Sequence, residues 1–250
     1  MQQANTQTNI RRLGVLALVL ITLALAGGVA RAQEEAPAAG DEKSMLQVYV
    51  VEGGFIAYII ILLSIAMVAI IIEHAVTIQR DKLVPPEIIV ELEQLVDEEQ
   101  FEEAMNLCES SRNYITNVVS AALARSGEGF DSMFNAMESA VEEENLKLIH
   151  KISLLNLIGN LGPLLGLFGT VVGMVGAFTA IATSSGTPSP KDLASGIYTA
   201  LVTTVWGLLV AMPALSAFFL FKNKVQRLTF ELSAVAAELV ERFKPMTQGK

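Results

Sequence analysis

The stretch LGPLLGLFGTVVGM, residues 161–174, has a glycine at every third or fourth position, and Gly176 continues the series. Glycine in a helix interior costs about 1 kcal/mol relative to alanine. Such a series is therefore typical of a helix whose glycine face packs closely against another helix, as membrane helices do. The stretch lies in a run without any charged residue, 152–190, which is longer than the ~20 residues that cross a bilayer.

Two further runs, 53–72 and 193–221, also lack charged residues and are long enough to cross a membrane. The tail of the 152–190 run, TSSGTPSP, is typical of a polar turn joining two helices into a hairpin. The sequence therefore predicts an all-α integral membrane protein. It has three transmembrane helices after a cleavable signal sequence, together with a cytoplasmic helical domain.

The second helix of the hairpin contains GIYTALVTTVWGLLVAMPA, residues 196–214, and it has a matching face of small residues. Pro163 and Pro213 each remove a helix hydrogen bond, which favours kinks in these two spans. The residues predicted to pack the two helices closely are Gly162, Gly166, Gly169, Gly173, Gly176, Gly196, Gly207 and Pro213.

Four hydroxyl residues of the hairpin, Thr170, Thr199, Thr203 and Thr204, accompany the small residues. If several copies surround an axis, these hydroxyls would line a narrow conduit and hold water or meet a carboxyl group on another helix. The alternative is plain helix packing, in which each hydroxyl bonds a carbonyl of its own helix.

The amino terminus, residues 1–32, has the pattern of a signal sequence. Arg11 and Arg12 precede an apolar run, and small residues follow at 30–32. A retained transmembrane helix is the alternative, and either one leaves the orientation of the downstream spans unchanged.

Basic residues flank the inner ends of the spans, and the predicted hairpin turn carries little charge, which places both the turn and the mature N-terminus outside. The acidic region between the first two spans shows apolar residues at helical spacing. These helices pack against one another or against extended ends of the second and third spans. The predicted segments are a signal peptide at 1–32, a periplasmic segment at 33–52, transmembrane helices at 53–78, 152–182 and 193–222, a cytoplasmic helical region at 79–151, a periplasmic turn at 183–192 and a cytoplasmic C-terminal helix at 223–250.

Composition excludes several classes of function. The net charge of −9 argues against nucleic acid as a partner. A single cysteine, Cys108, and two histidines, His74 and His150, leave almost no ligands for a metal site. The three uncharged runs contain no acid–base pair for catalysis. The sequence therefore predicts no enzyme activity, no metal and no cofactor, and Cys108 on an apolar helix face is interpreted as core packing.

The motifs at 161–174 and 196–214 resemble those of the second and third spans of the ExbB/TolQ/MotA proton channel family, and the chain resembles ExbB most. The resemblance implies a homopentamer in the bacterial inner membrane, with its N-terminus periplasmic and its C-terminus cytoplasmic. The pentamer surrounds an ExbD/TolR-like single-span protein that carries a membrane aspartate, and it works with a TonB-like or Tol-like energy transducer. Thr170 and Thr204 match the family's threonines near that aspartate.

One position departs from the pattern, because many ExbB and TolQ chains have glutamate where this chain has Thr199. The resemblance then leaves the partner's aspartate as the titrating group in the membrane. A TolQ-like motor for envelope integrity, a sodium-driven motor and a non-conducting membrane scaffold remain the alternatives.

Overall fold

The structure, a computed structural model, describes residues 54–98, 100–183 and 190–242. The predicted signal peptide at 1–32 and periplasmic segment at 33–52 lie outside these residues, as does most of the predicted turn. Regular structure in the described part is helical throughout. The elements are α1 (Gly54–Thr77), α2 (Arg80–Leu83), α3 (Pro86–Asp97), α4 (Phe101–Ser110), α5 (Tyr114–Leu123), a 3-10 turn (Ser126–Glu128), α6 (Phe130–Thr183) and α7 (Pro190–Glu241).

Among the described residues, three helices are long and apolar enough to cross a membrane, with candidate spans in Phe55–Thr77, Phe130–Thr183 and Leu193–Glu241. The predicted number of spans is therefore confirmed at the level of length and composition. α1 continues past its uncharged run through Glu73 and His74, near the inner end of the predicted span 53–78.

The two longest helices, α6 with 54 residues and α7 with 52, far exceed the length of one membrane span. At 1.5 Å per residue each is roughly 80 Å long, against about 30 Å of hydrocarbon. Extended ends of the second and third spans, one of the two predicted alternatives, are thus part of the fold. Both helices run without interruption through Pro163 and Pro213.

Two compact units divide the chain. The apolar unit comprises the described residues of Met1–Ile72 and Leu155–Ala217, and the charged unit comprises those of Glu73–Leu154 and Phe218–Lys250. Each contains one piece of α1, one of α6 and one of α7, and the charged unit adds the short helices α2 to α5.

The charged unit has a core of large side chains that are almost completely buried. Its fully buried members include Ile78, Val84, Leu92, Val96, Ile115, Met133, Ile152, Leu232 and Leu239. Cys108 is also buried here, as its position on an apolar helix face predicted.

Polar contacts join the helices of the charged unit at a few points. The ring Nε2 of His74 donates to the backbone carbonyl of Lys151 at 3.1 Å, and the ring meets Phe221 edge to face. The Thr229 hydroxyl of α7 donates to the side-chain oxygen of Asn145 in α6 at 3.1 Å.

Local signals in the sequence set two helix boundaries of the charged unit. Asn113 caps α5, because its side chain accepts from the backbone of Thr116 and the Thr116 hydroxyl accepts from the backbone of Asn113. Gly129 adopts a φ of 98°, which favours glycine, and this residue separates the 3-10 turn from the start of α6.

Candidate functional site

The site begins with the contact between α6 and α7 in the apolar unit, where backbone meets backbone. A side chain placed on Gly162 would have its Cβ 2.7 Å from the carbonyl oxygen of Gly207, and one on Gly166 would lie 2.9 Å from the Cα of Thr204. Real Cβ atoms essentially never come so close to backbone atoms. The glycines at these turns are therefore required by the approach of the helices.

The same close approach continues along the hairpin towards its turn. A Cβ on Gly173 would lie 2.9 Å from the Cβ of Ala200, and one on Gly196 would lie 2.6 Å from the Cβ of Ala177. At Gly176, by contrast, an added Cβ would meet no heavy atom of the described chain within 4 Å. The predicted packing glycines thus divide into those that contact the neighbouring helix and Gly176, which has open space beside it in the described part of the chain. Pro213 is buried.

Two adjacent hydroxyls of α7 converge on one carbonyl of α6. The Thr204 hydroxyl donates to the carbonyl oxygen of Gly166 at 3.0 Å. The Thr203 hydroxyl donates mainly to Ala200 in its own helix at 2.7 Å, with Gly166 at 3.4 Å. Thr203 is only 4% exposed, and it packs against Gly169, which has no side chain to displace it. These two hydroxyls join the helices of the hairpin within a single chain.

The other two predicted hydroxyls bond only their own helices. Thr170 donates to Leu167 at 2.7 Å, and Thr199 donates to Ser195 at 2.9 Å. Both side chains are half-buried. A hydroxyl that donates its proton in this way keeps its oxygen lone pairs as acceptors. Thr170 and Thr199 therefore present hydrogen-bond acceptors beside the glycine contact.

The two uncharged runs of the hairpin offer polar atoms but no side chain that is charged at neutral pH. The runs 152–190 and 193–221 contain no Asp, Glu, His, Lys or Arg. The only charged residues between the two runs are Lys191 and Asp192. Such a surface can hold water or a carboxyl group through hydrogen bonds. It supplies no carboxyl, imidazole or amine that could take up and release a proton.

Two amides of the same run, Asn156 and Asn160, received no role from the sequence patterns. The Asn160 amide nitrogen donates to the backbone carbonyl of Asn156 at 2.7 Å and to its side-chain oxygen at 3.1 Å. Asn160 is exposed and Asn156 half-buried. The signal that identifies them is simple, because an amide within an otherwise apolar span is costly unless it finds a partner.

Shifted pKa values occur among the residues of the charged unit. Burial raises the pKa of the Cys108 thiol to about 11. Burial also raises the pKa of Tyr114 to about 12, against a smaller opposing effect of Thr229. At the surface, bonds to Ser132 and Arg125 lower the pKa of Glu128. Hydrogen bonds to Glu143 and Glu144 raise the pKa of Lys147.

Exposed apolar side chains surround the hairpin in the single chain. Only 11% of the most apolar window of α6 is buried. The large exposed side chains of this part of α6 are Leu157, Leu164, Leu167, Phe168, Val171, Val172, Met174, Val175 and Phe178. A surface of this extent calls for lipid or further protein to cover it.

Comparison with known proteins agrees with this architecture. The model of the MotA/TolQ/ExbB proton channel family matches residues 92–234. The ExbB-like 1 protein of Synechocystis sp. is 30% identical over 196 residues, which cover 75% of each chain. The biopolymer transport protein exbB1 of Vibrio cholerae is 41% identical over 76 residues, but these span only 30% of this chain and 33% of that relative.

The fold also matches a solved structure. A chain of the C. jejuni MotAB structure superposes with a TM-score of 0.53 at 18% identity, covering 94% of this chain and 90% of that one. The matched segment 92–234 includes both glycine-rich motifs and more than half of the chain. This chain belongs to the MotA/TolQ/ExbB proton channel family.

Proposed function

We propose that this chain is the channel-forming stator subunit of an ExbB–ExbD-type motor in the bacterial inner membrane. The motor converts the proton motive force into work on TonB-dependent transport or a related envelope process. Family membership and the identity to ExbB-named relatives support this assignment.

One observation carries the mechanism: the hairpin combines hydroxyls with an absence of any Asp, Glu, His, Lys or Arg over 152–190 and 193–221. Proton pathways through membranes normally contain an ionisable residue. In this proposal a single-span partner of the ExbD/TolR type supplies it, as an aspartate in its membrane helix. A homopentamer of this chain surrounds a dimer of the partner.

The hydrogen bonds of Thr170 and Thr204 suit such a carboxyl group. Each hydroxyl already donates to a carbonyl, so each offers the incoming group an acceptor. A protonated carboxyl can donate to that acceptor, whereas an ionised carboxylate cannot. The conduit therefore favours entry of the partner's carboxyl in its neutral form, and loss of the proton on the inner side drives rotation of the dimer.

The first test determines the subunit composition of the complex. The chain is purified in mild detergent after co-expression with single-span candidates that carry a membrane aspartate, and the complex is weighed by native mass spectrometry. Five copies around two of such a partner are expected. A stable oligomer that takes up no such partner would contradict the motor and favour the non-conducting scaffold, which the uncharged spans keep as the alternative.

The second test is conduction. The complex is reconstituted in liposomes, and proton influx is followed with an enclosed pH dye under an imposed potential. Thr170→Val is expected to abolish influx while leaving the oligomer intact, because the Thr170 hydroxyl makes no bond to α7. Thr204→Val is expected to abolish it too, but that variant also removes the bond to Gly166. Thr170→Val is therefore the cleaner variant.

A matched control lies in the same helix. Thr179 also donates to a carbonyl of its own helix, Val175 at 2.7 Å. It follows Thr170 by nine residues and so points about 180° away around the helix. Thr179→Val should conduct normally. An equal loss of influx in Thr170→Val and Thr179→Val would mean that any such substitution disturbs the helix. Normal influx in Thr170→Val would show that Thr170 is not part of the pathway. Replacing the proton gradient with a sodium gradient separates the two coupling ions.

Deleting the gene for this chain in its native host distinguishes the two systems that the motor could energise. Loss of uptake through TonB-dependent receptors with an intact envelope supports the ExbB-type role. Envelope leakage with normal uptake would favour the TolQ-like alternative.

A further inference from the structure

Asn156 and Asn160 form a polar pair inside an apolar span. Their one mutual contact runs from the Asn160 amide nitrogen to the backbone and side-chain oxygens of Asn156. Within the described residues, no hydrogen bond from another helix reaches either amide. The side-chain oxygen of Asn160 and the amide nitrogen of Asn156 thus lack partners in the described chain.

Helical register places Asn156 within about 40° of Thr170 around α6, and Asn160 about 80° from Thr170 in the same direction. Asn156, Pro163 and Thr170 follow one another at steps of seven residues. Each such step returns to the same face within about 20°. Over the fourteen residues between them, Asn156 lies about 21 Å along the helix from Thr170. The pair occupies the end of the span that precedes the glycine series.

The other faces of α6 are taken up differently. The glycine face packs against α7, where a Cβ on Gly159 would already meet the side chain of Leu215 at 2.6 Å. Thr179 marks the opposite side. The amides therefore lie beside the proposed conduit hydroxyl, on the side of it that points away from the packing contact with α7.

An amide without partners in hydrocarbon is strongly unfavourable, at roughly 2–7 kcal/mol depending on the reference state. Partners must then come from outside the described residues, and the two sources considered are water and the amides of a neighbouring copy. Water is favoured because Asn156 lies within about 40° of Thr170 around the helix, and a proton that leaves a carboxyl at Thr170 needs a hydrated route to the inner side. The basic residues Lys147 and Lys151 before the span predict that this end faces the cytoplasm.

We propose that Asn156 and Asn160 are positioning residues that hold water in the inner half of the conduit, between Thr170 and the cytoplasm. This proposal rests on the proposed channel function. The amides themselves neither gain nor lose a proton. A proton released by the partner's carboxyl passes along the waters that they hold, each water accepting one proton and donating another, and one proton emerges on the cytoplasmic side.

The test uses the full complex with its single-span partner, reconstituted for the proton-influx measurement. The double variant Asn156→Leu/Asn160→Leu keeps the approximate size of both side chains and removes all hydrogen bonding. We expect influx to fall by about tenfold or more, which corresponds to ~1.4 kcal/mol of barrier. The mass of the complex should be unchanged.

Rescue distinguishes hydration from packing. Asn156→Ser/Asn160→Ser retains small polar groups that hold water but cannot bridge to a neighbouring copy as amides do. It should restore most of the influx. Thr179→Val serves as the neutral control and Thr170→Val as the reference for a blocked conduit.

Each outcome decides the matter. Normal influx in the leucine variant, with Thr170→Val blocked, overturns the role of the amides and leaves the channel function standing. Loss of the oligomer in the leucine variant, or failure of the serine variant to restore influx, assigns the amides to contacts between copies and overturns the proposal. No influx in the unmodified complex refutes the channel function itself.

Discussion

The apolar and charged units pack their helices in opposite ways. In the charged unit, large side chains such as Ile115 and Leu232 are completely buried between helices. In the apolar unit, the contact between α6 and α7 consists of glycines, alanines and threonine hydroxyls, with backbone close to backbone. The same two helices, α6 and α7, contribute to both units.

The difference follows from the solvent that each unit would meet. Water drives large apolar side chains together, at about 25 cal/mol for each Å² buried. Lipid tails exert no such drive, so helices in a membrane associate through close van der Waals packing and hydrogen bonds. Deleting atoms should therefore destabilise the charged unit most, and adding atoms should destabilise the apolar unit most.

The largest effect is expected from deletion in the charged unit. Leu232→Ala empties a site with 0% exposure and should lower the free energy of unfolding by about 2–5 kcal/mol. The measurement is the thermal midpoint of the detergent-purified oligomer, followed by circular dichroism. Leu201→Ala, on the same helix in the apolar unit, is the matched control, because Leu201 is 59% exposed. Equal shifts in both variants would contradict the contrast between the units.

A smaller effect is expected from addition in the apolar unit. Gly207→Ala places a Cβ against the carbonyl oxygen of Gly162 and near the Cα of Gly166, so the helices must separate. Overpacking of this kind costs typically about 1–3 kcal/mol. The readout is the fraction of intact oligomer as detergent strength rises.

Gly176→Ala is the control for Gly207→Ala. An added Cβ at Gly176 meets nothing within 4 Å in the described chain, so the same substitution should leave the single chain's packing unchanged. If Gly207→Ala assembles as stably as Gly176→Ala, the close helix contact is not what holds the hairpin. If Gly176→Ala alone disrupts the oligomer, Gly176 faces another copy or the partner.

Much of the hairpin could be predicted from the sequence, because its signals are local. Uncharged runs of sufficient length predict spans without reference to any tertiary contact. The three- and four-residue steps of Gly162, Gly166, Gly169 and Gly173 predict a packing face, and the structure brings all four against α7. The pore-facing role of the hydroxyls stays a prediction, since a pore would form only in the proposed oligomer.

The sequence could not decide which hydroxyls bridge the two helices. Thr203 and Thr204 are adjacent in sequence, yet they differ in their main hydrogen bond. Thr203 makes its shorter bond to Ala200 in its own helix, whereas Thr204 donates across the hairpin to Gly166. That choice depends on the rotation of α7 against Gly166, which no local pattern encodes. The sequence also could not decide where α6 begins. An uncharged run ends where the chain leaves the membrane, but a helix can continue past that point, and α6 begins at Phe130, well before the uncharged run.

The smallest effect is expected at the surface of the charged unit. Arg242 approaches Glu93 at 3.4 Å and Asp97 at 3.3 Å, two acidic side chains one turn apart on α3. These side chains are about a third exposed or more, and exposed ion pairs contribute roughly 0.2–1 kcal/mol. Arg242→Gln should therefore lower the thermal midpoint only slightly at low salt.

Salt sharpens this last expectation. At about 1 M ionic strength the screening length falls to ~3 Å, so the difference between Arg242→Gln and the unmodified chain should vanish. Arg227→Gln removes a comparable exposed pair with Glu231 within one helix and serves as the control for loss of an arginine. A large fall in the thermal midpoint that persists in high salt would mean that Arg242 contributes by packing its aliphatic stem. Removing atoms at the surface of the charged unit would then destabilise it for the same reason as removing atoms from its core.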